Sequence, residues 1–446
     1  MAVNSYTVKE YGVISEGYRD TTYSDNSIEI DSESFESLTN FIEENYENPD
    51  FDNAFSIFKK KGRRYIRVKN YVGVVETKQG VVIEILPKTY KNNGIEESSV
   101  NESKNLLLRL LKVLKDSPFI NLNLAHLKEV NNFPILEIFI TTYLDELGIL
   151  FSKELRGDYS AVEENVKFIK GKLLLSEHIK KNSYKKSLFF CSHDVFSENI
   201  APNRLIKSTL YRLLNTTKLS NNKSRIIKFL DTLENVDFSV SVDADLNYCK
   251  NHHRFLKTYG NLILWSEIYL KNKSFTNFHG GSINQAILFP MEKLFENYIA
   301  HLIKRYCDGF TIQTQDKKYS LVGQKTNESD ADFKLPKFPL RPDIVIDSDK
   351  IIIDTKWKLL SNTSKKYDIQ EADIYQMHAY GRRYQSGNLE KTPPRLGLIY
   401  PKNPDFKSSL MQMRYGQDLL LDIIPFDLTN ESPSSEIKKI VETLLN

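Results

Sequence analysis

Cysteine is scarce. The three thiols in 446 residues, Cys191, Cys249 and Cys307, are scattered and odd in number. They offer no disulfide framework and no metal-ligand spacing, so a reducing compartment, the cytoplasm, is expected. Long apolar runs are also missing. The most apolar stretch, 134–151, carries Glu137, Asp145 and Glu146, which argues against a membrane span, and residues 1–12 lack a signal-peptide core. Charge of one sign is not in excess. With a net charge of +3, contact with a polyanion has to come from local patches. No G-x-x-x-x-G-K-[ST] run occurs, so this chain is not expected to bind nucleotide through a P-loop. His252 and His253 are adjacent and cannot both face one metal from a regular element.

What is present is length enough for two or three domains. Residues 59–86 read as strands, Tyr65 to Val68, Tyr71 to Glu76 and Val81 to Leu86, separated by turn signals at Lys69-Asn70 and Lys78-Gln79-Gly80. Beside them the run Lys59-Lys60-Lys61-Gly62-Arg63-Arg64 fits a solvated loop, DNA phosphate or an acidic partner. A polar linker, Asn92 to Asn105, leads into helical spacing at 106–115, 135–151, 203–214, 224–233 and 254–270. Organisation changes near residue 285. The expected division is a β-rich module over 1–100, a mostly helical region over 101–284 and a third domain over 285–446.

The third domain holds the chemistry. Residues 342–356 (Pro-Asp-Ile-Val-Ile-Asp-Ser-Asp-Lys-Ile-Ile-Ile-Asp-Thr-Lys) are two apolar runs hinged at a polar turn. A two-residue loop at Ser348-Asp349 sets Asp347 opposite Lys350 and Asp343 opposite Asp354. Opposed side chains have Cβ atoms roughly 4.5 to 5.5 Å apart, and like charges there are unfavourable. A divalent cation would remove that cost. Side chains alternate along a strand, so Lys356 shares the face of Asp354 and Thr355 is expected to point away. Two carboxylates and an amine on one face suit Mg²⁺, with Mn²⁺ able to substitute, and metal-assisted phosphodiester hydrolysis. The competing reading is a buried hairpin whose acids merely end its strands. Against it, the Ile351-Ile352-Ile353 run predicts a strand buried on both faces, where an unpaired Asp354 and Lys356 would be costly.

Downstream, 368–384 read as a helix whose stripe of Ile369, Ala372, Gln376, Ala379 and Tyr380 includes a polar Gln376 four residues before Tyr380. Upstream, 288–306 read as an apolar helix with Glu292 and Glu296 on its flank. Glu296 fits either a metal shell or solvent. The loop 324–341 is polar and Pro-rich, a substrate-facing or partner-facing excursion.

This order, acid-bearing helix, P-D hairpin, D-x-K strand, Q-x-x-x-Y helix and a later strand at Leu396 to Tyr400, resembles the PD-(D/E)xK nuclease core in its RecB-like form. Leu294-Phe295-Glu296, Asp354-Thr355-Lys356-Trp357-Lys358 and Asp373-Ile374-Tyr375-Gln376-Met377 resemble the McrC family, the nuclease subunit of McrBC-type, 5-methylcytosine-specific restriction systems. So do Asn70-Tyr71-Val72-Gly73-Val74-Val75, Ile83-Glu84-Ile85-Leu86-Pro87-Lys88 and Ser197-Glu198-Asn199-Ile200-Ala201-Pro202-Asn203-Arg204. The resemblance implies an α+β multidomain chain, its N-terminal β module and helical region docking on a ring and its C-terminal α/β core of restriction-endonuclease type. It implies catalytic roles for Asp343, Asp354 and Lys356, supported by Glu296, Gln376 and Tyr380. The metal would be held by Asp343, Asp354, the backbone carbonyl of Thr355 and Glu296. It also implies double-stranded DNA as substrate and a McrB-like AAA+ GTPase hexamer as partner. A nuclease that cuts without a partner, and a non-catalytic adaptor that regulates a GTPase, are the alternatives.

Overall fold

A computed structural model describes residues 5–17, 26–47, 54–88, 97–122, 133–153, 155–185, 187–271, 282–324, 335–347, 349–362, 364–387, 392–430 and 432–445. The chain forms two compact units. One comprises Asn4–Asn131 and Phe278–Asn446; the other comprises Met1–Val3 and Asn132–Asn277. The expected three-way division does not match them, because the N-terminal module and the C-terminal region share one unit, interrupted by an insertion.

The N-terminal part contains β1 (Ser5–Lys9), β2 (Val13–Glu16), β3 (Ser27–Ile30), α1 (Ser32–Glu44), β4 (Phe55–Lys60), β5 (Arg63–Val68), β6 (Tyr71–Thr77), β7 (Val82–Leu86) and α2 (Glu97–Lys112). Asp31 caps α1, its carboxylate accepting from the Ser34 N–H at 2.8 Å. The strands make two sheets, one ordered β3-β2-β5-β4. The other is β1-β7-β6 closed by a strand from far downstream, β11 (Ile283–Pro290), which runs antiparallel to β6. Gly73 makes that pairing close: its φ is +135°, and a Cβ there would lie 1.9 Å from the Ile287 carbonyl oxygen. The helix expected from residue 288 therefore starts three residues later, at Met291. Leu288 belongs to the strand, opposite Gly73. A short apolar run ahead of a helix reads equally as its first turn.

The inserted unit comprises α3 (Ile135–Phe151), β8 (Asp158–Val166), β9 (Lys172–Leu173), α4 (Leu175–Asn182), β10 (Phe189–Ser197), α5 (Ala201–Thr216), α6 (Ser220–Thr232), α7 (Val242–Asn251) and α8 (His253–Lys271). Helices do dominate it, but the three-stranded sheet β8-β10-β9 was not foreseen. The Asn203 amide donates to the Arg156 and Glu198 carbonyls at 3.0 and 2.8 Å, and Arg204 pairs with Asp245 at 2.6 Å. That gives part of the Ser197–Arg204 segment a structural role.

The C-terminal part adds α9 (Met291–Tyr306), β12 (Ile312–Thr314), β13 (Ser320–Gln324), β14 (Leu335–Pro339), β15 (Ile344–Ile346), β16 (Ile351–Thr355), α10 (Glu371–Gly387), β17 (Arg395–Pro401), β18 (Leu410–Tyr415), β19 (Leu419–Phe426) and α11 (Ser434–Leu445). Its six-stranded mixed sheet runs β12-β15-β16-β17-β19-β18, with β16, β17 and β19 parallel. Every residue of β16 is buried. One face, Val345, Ile352, Leu396 and Leu398, packs on Met377, Tyr380 and Tyr384 of α10. α9 packs against β16, and α11 against β17 and β19. Leu444 of α11 comes close to Gly397 of β17. Part of the expected 324–341 excursion is a hairpin, β13 against β14; the described part of the expected linker, 97–105, is helical and belongs to α2; residues 325–334, 92–96 and Ser348 of the expected turn lie outside the described residues.

Candidate active site

The hairpin has the expected register. Ile344 faces Ile353 and Ile346 faces Ile351, which continues to Asp343 opposite Asp354 and Asp347 opposite Lys350. Asp347 and Lys350 pair at 2.7 Å. Asp354 is 2% exposed at the end of β16, and Asp343 stands just before β15. Thr355 does not turn away from this pair. Its backbone N–H and its hydroxyl both donate to Asp343 Oδ2 at 2.8 Å. Strand alternation fails as a guide here because Asp343 lies outside the regular strand, where its carboxylate reaches across to Thr355.

Lys356 leaves the sheet with its ammonium 2.7 Å from Asp354 Oδ2 and 3.8 Å from Asp373 Oδ1. It donates to Gln376 Oε1 at 2.9 Å, and Gln376 in turn donates to the Tyr380 hydroxyl at 2.7 Å. The polar intruder on α10 is thus the lysine's rest. Burial opposes the ammonium charge, but Asp354, Asp373 and Asp343 outweigh it and hold Lys356 above the usual lysine range. Asp343 moves the other way for an acid: burial, then Asp354 and Glu296, push it up to about 8 against the pull of Thr355. Burial also raises Asp354, offset in part by Lys356. Tyr380 is pushed up to about 12, first by burial and then by Asp354.

Glu296 of α9 joins this group through a residue that sequence reading missed. Gln315 donates its amide to both Glu296 Oε1 and Asp343 Oδ1, the latter at 3.2 Å. Its backbone N–H binds the Asp343 carbonyl at 3.0 Å, and its φ is +52°, an uncommon conformation for glutamine. Lys293 pairs with the other oxygen of Glu296 at 2.9 Å. No spacing signal marks Gln315, because its partners are distant in sequence.

The N-terminal part supplies a second unforeseen contribution. The Trp357 indole N–H, next to Lys356, donates to the Glu10 carboxylate at 3.0 and 3.2 Å. Glu10 is fully buried and also accepts from the Lys88 N–H at 3.0 Å. Burial pushes its carboxyl up to about 8 despite these donors. Trp357 packs on Phe295 of α9 with ring centroids 5.6 Å apart. Tyr11 and Asn70 reach the same cleft, of about 770 Å³, that Asp343, Asp354, Lys356, Gln376 and Glu296 line.

Among the described residues no group of three or more His, Cys, Asp or Glu forms a metal cage. The site offers instead two opposed carboxylates whose mutual repulsion a cation would relieve. Hard oxygens in that small number fit an ion that keeps its own water and substrate oxygens. The basic run at 59–64 is elsewhere: it forms the β4–β5 turn, with Arg64 paired to Glu36 at 2.7 Å, and lines no part of the cleft. No described helix is long and apolar enough to cross a membrane.

Fold and site define a mixed α/β protein that carries a carboxylate and lysine cleft at the end of a buried sheet strand. The model of the family described as McrBC 5-methylcytosine restriction system component matches residues 66–401, and the chain belongs to that family. No curated protein sequence matches the chain. In overall fold it is similar to a chain of the refined half-complex from the tetradecameric assembly of Thermococcus gammatolerans McrB AAA+ hexamers with bound McrC. That likeness has a TM-score of 0.71 and 14% identity, and covers 98% of this chain and 99% of that one. A chain of the cryo-EM structure of the Thermococcus gammatolerans McrBC complex is similar at a TM-score of 0.50 and 17% identity, covering 68% of this chain and 88% of that one.

Proposed function

We propose that this chain is the DNA endonuclease subunit of a McrBC-type restriction system in anti-phage defence, a metal-dependent phosphodiester hydrolase with a PD-(D/E)xK core. One observation carries the reading: Asp343, Asp354 and Lys356 converge in one cleft, with Gln376 and Tyr380 bracing the lysine. Asp343, Asp354, the Thr355 carbonyl and Glu296 would hold Mg²⁺, or Mn²⁺ in its place. When bound, that ion supplies Lewis-acid polarisation and neutralises charge. Lys356 places a fixed positive charge beside the acids, where it stabilises the negative charge that builds up on a phosphodiester under attack. Gln376 and Tyr380 limit its rotamers, so little reorganisation accompanies the reaction. Gln315 holds Glu296 and Asp343 in mutual register.

The related assembly has McrB AAA+ hexamers with bound McrC, and a McrB-like GTPase ring is the partner inferred here. Cutting of double-stranded DNA would follow ring engagement, and this chain would stimulate GTP hydrolysis without itself binding nucleotide. The test combines the purified chain, Mg²⁺ and DNA with and without the ring and GTP. Cleavage is expected only with the ring, and Asp354→Asn should still stimulate GTP turnover while cutting nothing. Full-rate cutting by the chain alone would favour a partner-independent nuclease. Stimulation with no cleavage by the wild type would leave an adaptor.

A further inference from the structure

A second cavity of about 760 Å³ lies where α2 and α9 end. Arg109 and Lys112 enter it from the last turn of α2, Lys115 from the segment that follows, and His301, Lys304 and Arg305 from the C-terminal half of α9. Among the described residues of its lining Glu296 is the one carboxylate, and it is already bound to Lys293 and Gln315. Among the described residues, no ion pair neutralises Arg109, Lys112, Lys115, Lys304 or Arg305. Arg109 is spent on the Leu428 and Asn430 carbonyls, and Lys304 donates to the Thr314 hydroxyl at 3.1 Å.

Basic side chains at a helix C-terminus are favourable taken singly, since they face the negative end of the helix dipole. That accounts for each helix end by itself. It does not account for two such ends emptying into one cavity, where the cations repel one another. The repulsion is visible: burial, then Lys115, pull Lys304 down, and burial, then Arg305 and Lys115, pull His301 down. An anion in the cavity would oppose both shifts. Glu296 and Gln315 line this cavity and the carboxylate cleft alike, so the cavity adjoins the cleft across these two side chains.

We propose that the cavity between the ends of α2 and α9 holds backbone phosphates of the DNA strand flanking the scissile position. The proposal rests on the nuclease reading for its choice of ligand. Lys112 and Lys304 are the anchoring residues to test, because they stand on different helices.

Binding of a fluorescein-labelled DNA duplex to the full-length Asp354→Asn protein is followed by anisotropy over a range of salt concentrations, in EDTA. Adding Lys112→Glu and Lys304→Glu together should weaken binding and lower the slope of log K against log salt by about 1.8, roughly 0.9 for each phosphate no longer held. Lys59→Glu with Lys60→Glu, at the end of β4 in the β4–β5 hairpin, serves as comparator and should change the slope less. Thermal melting monitors folding, and if the reversed pair melts early, Lys112→Gln with Lys304→Gln gives the same reading at smaller charge change. An unchanged slope in a folded cavity variant, or loss confined to the β4–β5 variant, overturns the proposal. Failure of the nuclease reading is seen separately. If the wild type cuts nothing but the cavity variants still bind DNA more weakly, anchoring stands; if the wild type cuts and the cavity variants bind as their parent does, anchoring alone falls.

Discussion

Glu10 is a carboxyl with no exposed surface, held by the Trp357 indole and the Lys88 N–H beside the strand end that carries Lys356. Two neutral donors do not replace the water it has lost, and burial carries it from its ordinary 4.5 to about 8. The folded chain therefore holds this proton more tightly than the unfolded chain does. Its contribution to stability is complete below pH 4.5, falls as the pH rises and is gone above about 8. At about 1.4 kcal/mol per pH unit that window amounts to about 5 kcal/mol. Glu10→Gln keeps the shape of the protonated acid and cannot ionise. Urea melts of both proteins in EDTA at constant salt, from about pH 5 to about pH 9, should give nearly equal stabilities at the acid end. At the alkaline end the variant should be the more stable by several kcal/mol. Comparing the two proteins at each pH cancels the titration of Asp343, which falls in the same window. A difference between them that does not change with pH, or one that favours the wild type as the pH rises, would refute the reasoning.

Asp343→Asn should abolish cleavage yet melt no lower than the parent in EDTA, since it removes an acid that burial, Asp354 and Glu296 push up to about 8; retained cleavage would sink the site assignment. Asp354→Asn should also abolish cleavage, but with some loss of stability in EDTA, because Lys356 loses its partner at 2.7 Å. Lys356→Ala should slow cleavage by about 10² to 10³ while leaving Mn²⁺ and DNA binding nearly unchanged, and parallel loss of binding and rate would make it a phosphate anchor only. Gln315→Gly relieves a positive φ worth about 1 kcal/mol and deletes the amide between Glu296 and Asp343. It should melt no lower than the wild type and cut more slowly, and full activity would remove Gln315 from the site.

Much of the hairpin was legible because its signals are local. Asp347 and Lys350 close the turn that fixes the register, and the isoleucine runs mark strands covered on both sides. The helix at 135–151 was legible for the same reason, its apolar spacing matching the observed Ile135–Phe151. Readings failed where local pattern and tertiary pairing disagree. Residues 286–290 are apolar without a clear period, and pairing along β6, close at Gly73, makes them part of a strand of the N-terminal sheet. β8 carries Asp158, Glu163 and Glu164 and has no apolar face to announce it.

The residues around the cleft divide the same way. Gln376 and Tyr380 were found because a helix repeats every four residues, but Gln315 meets Glu296 and Asp343, and Trp357 meets Glu10, only after the chain has folded. What two of these unforeseen residues share with the expected Asp343 is cost. Glu10 is a carboxyl buried among neutral donors, Gln315 holds an unfavourable φ, and Asp343 faces another acid. Packing alone would replace each with something easier to bury. Gln315 and Asp343 line the cleft, and Glu10 reaches it through Trp357, next to Lys356; that costly groups from the N-terminal and C-terminal parts of one unit gather around the end of β16 is the physical argument that the two parts together build this cleft.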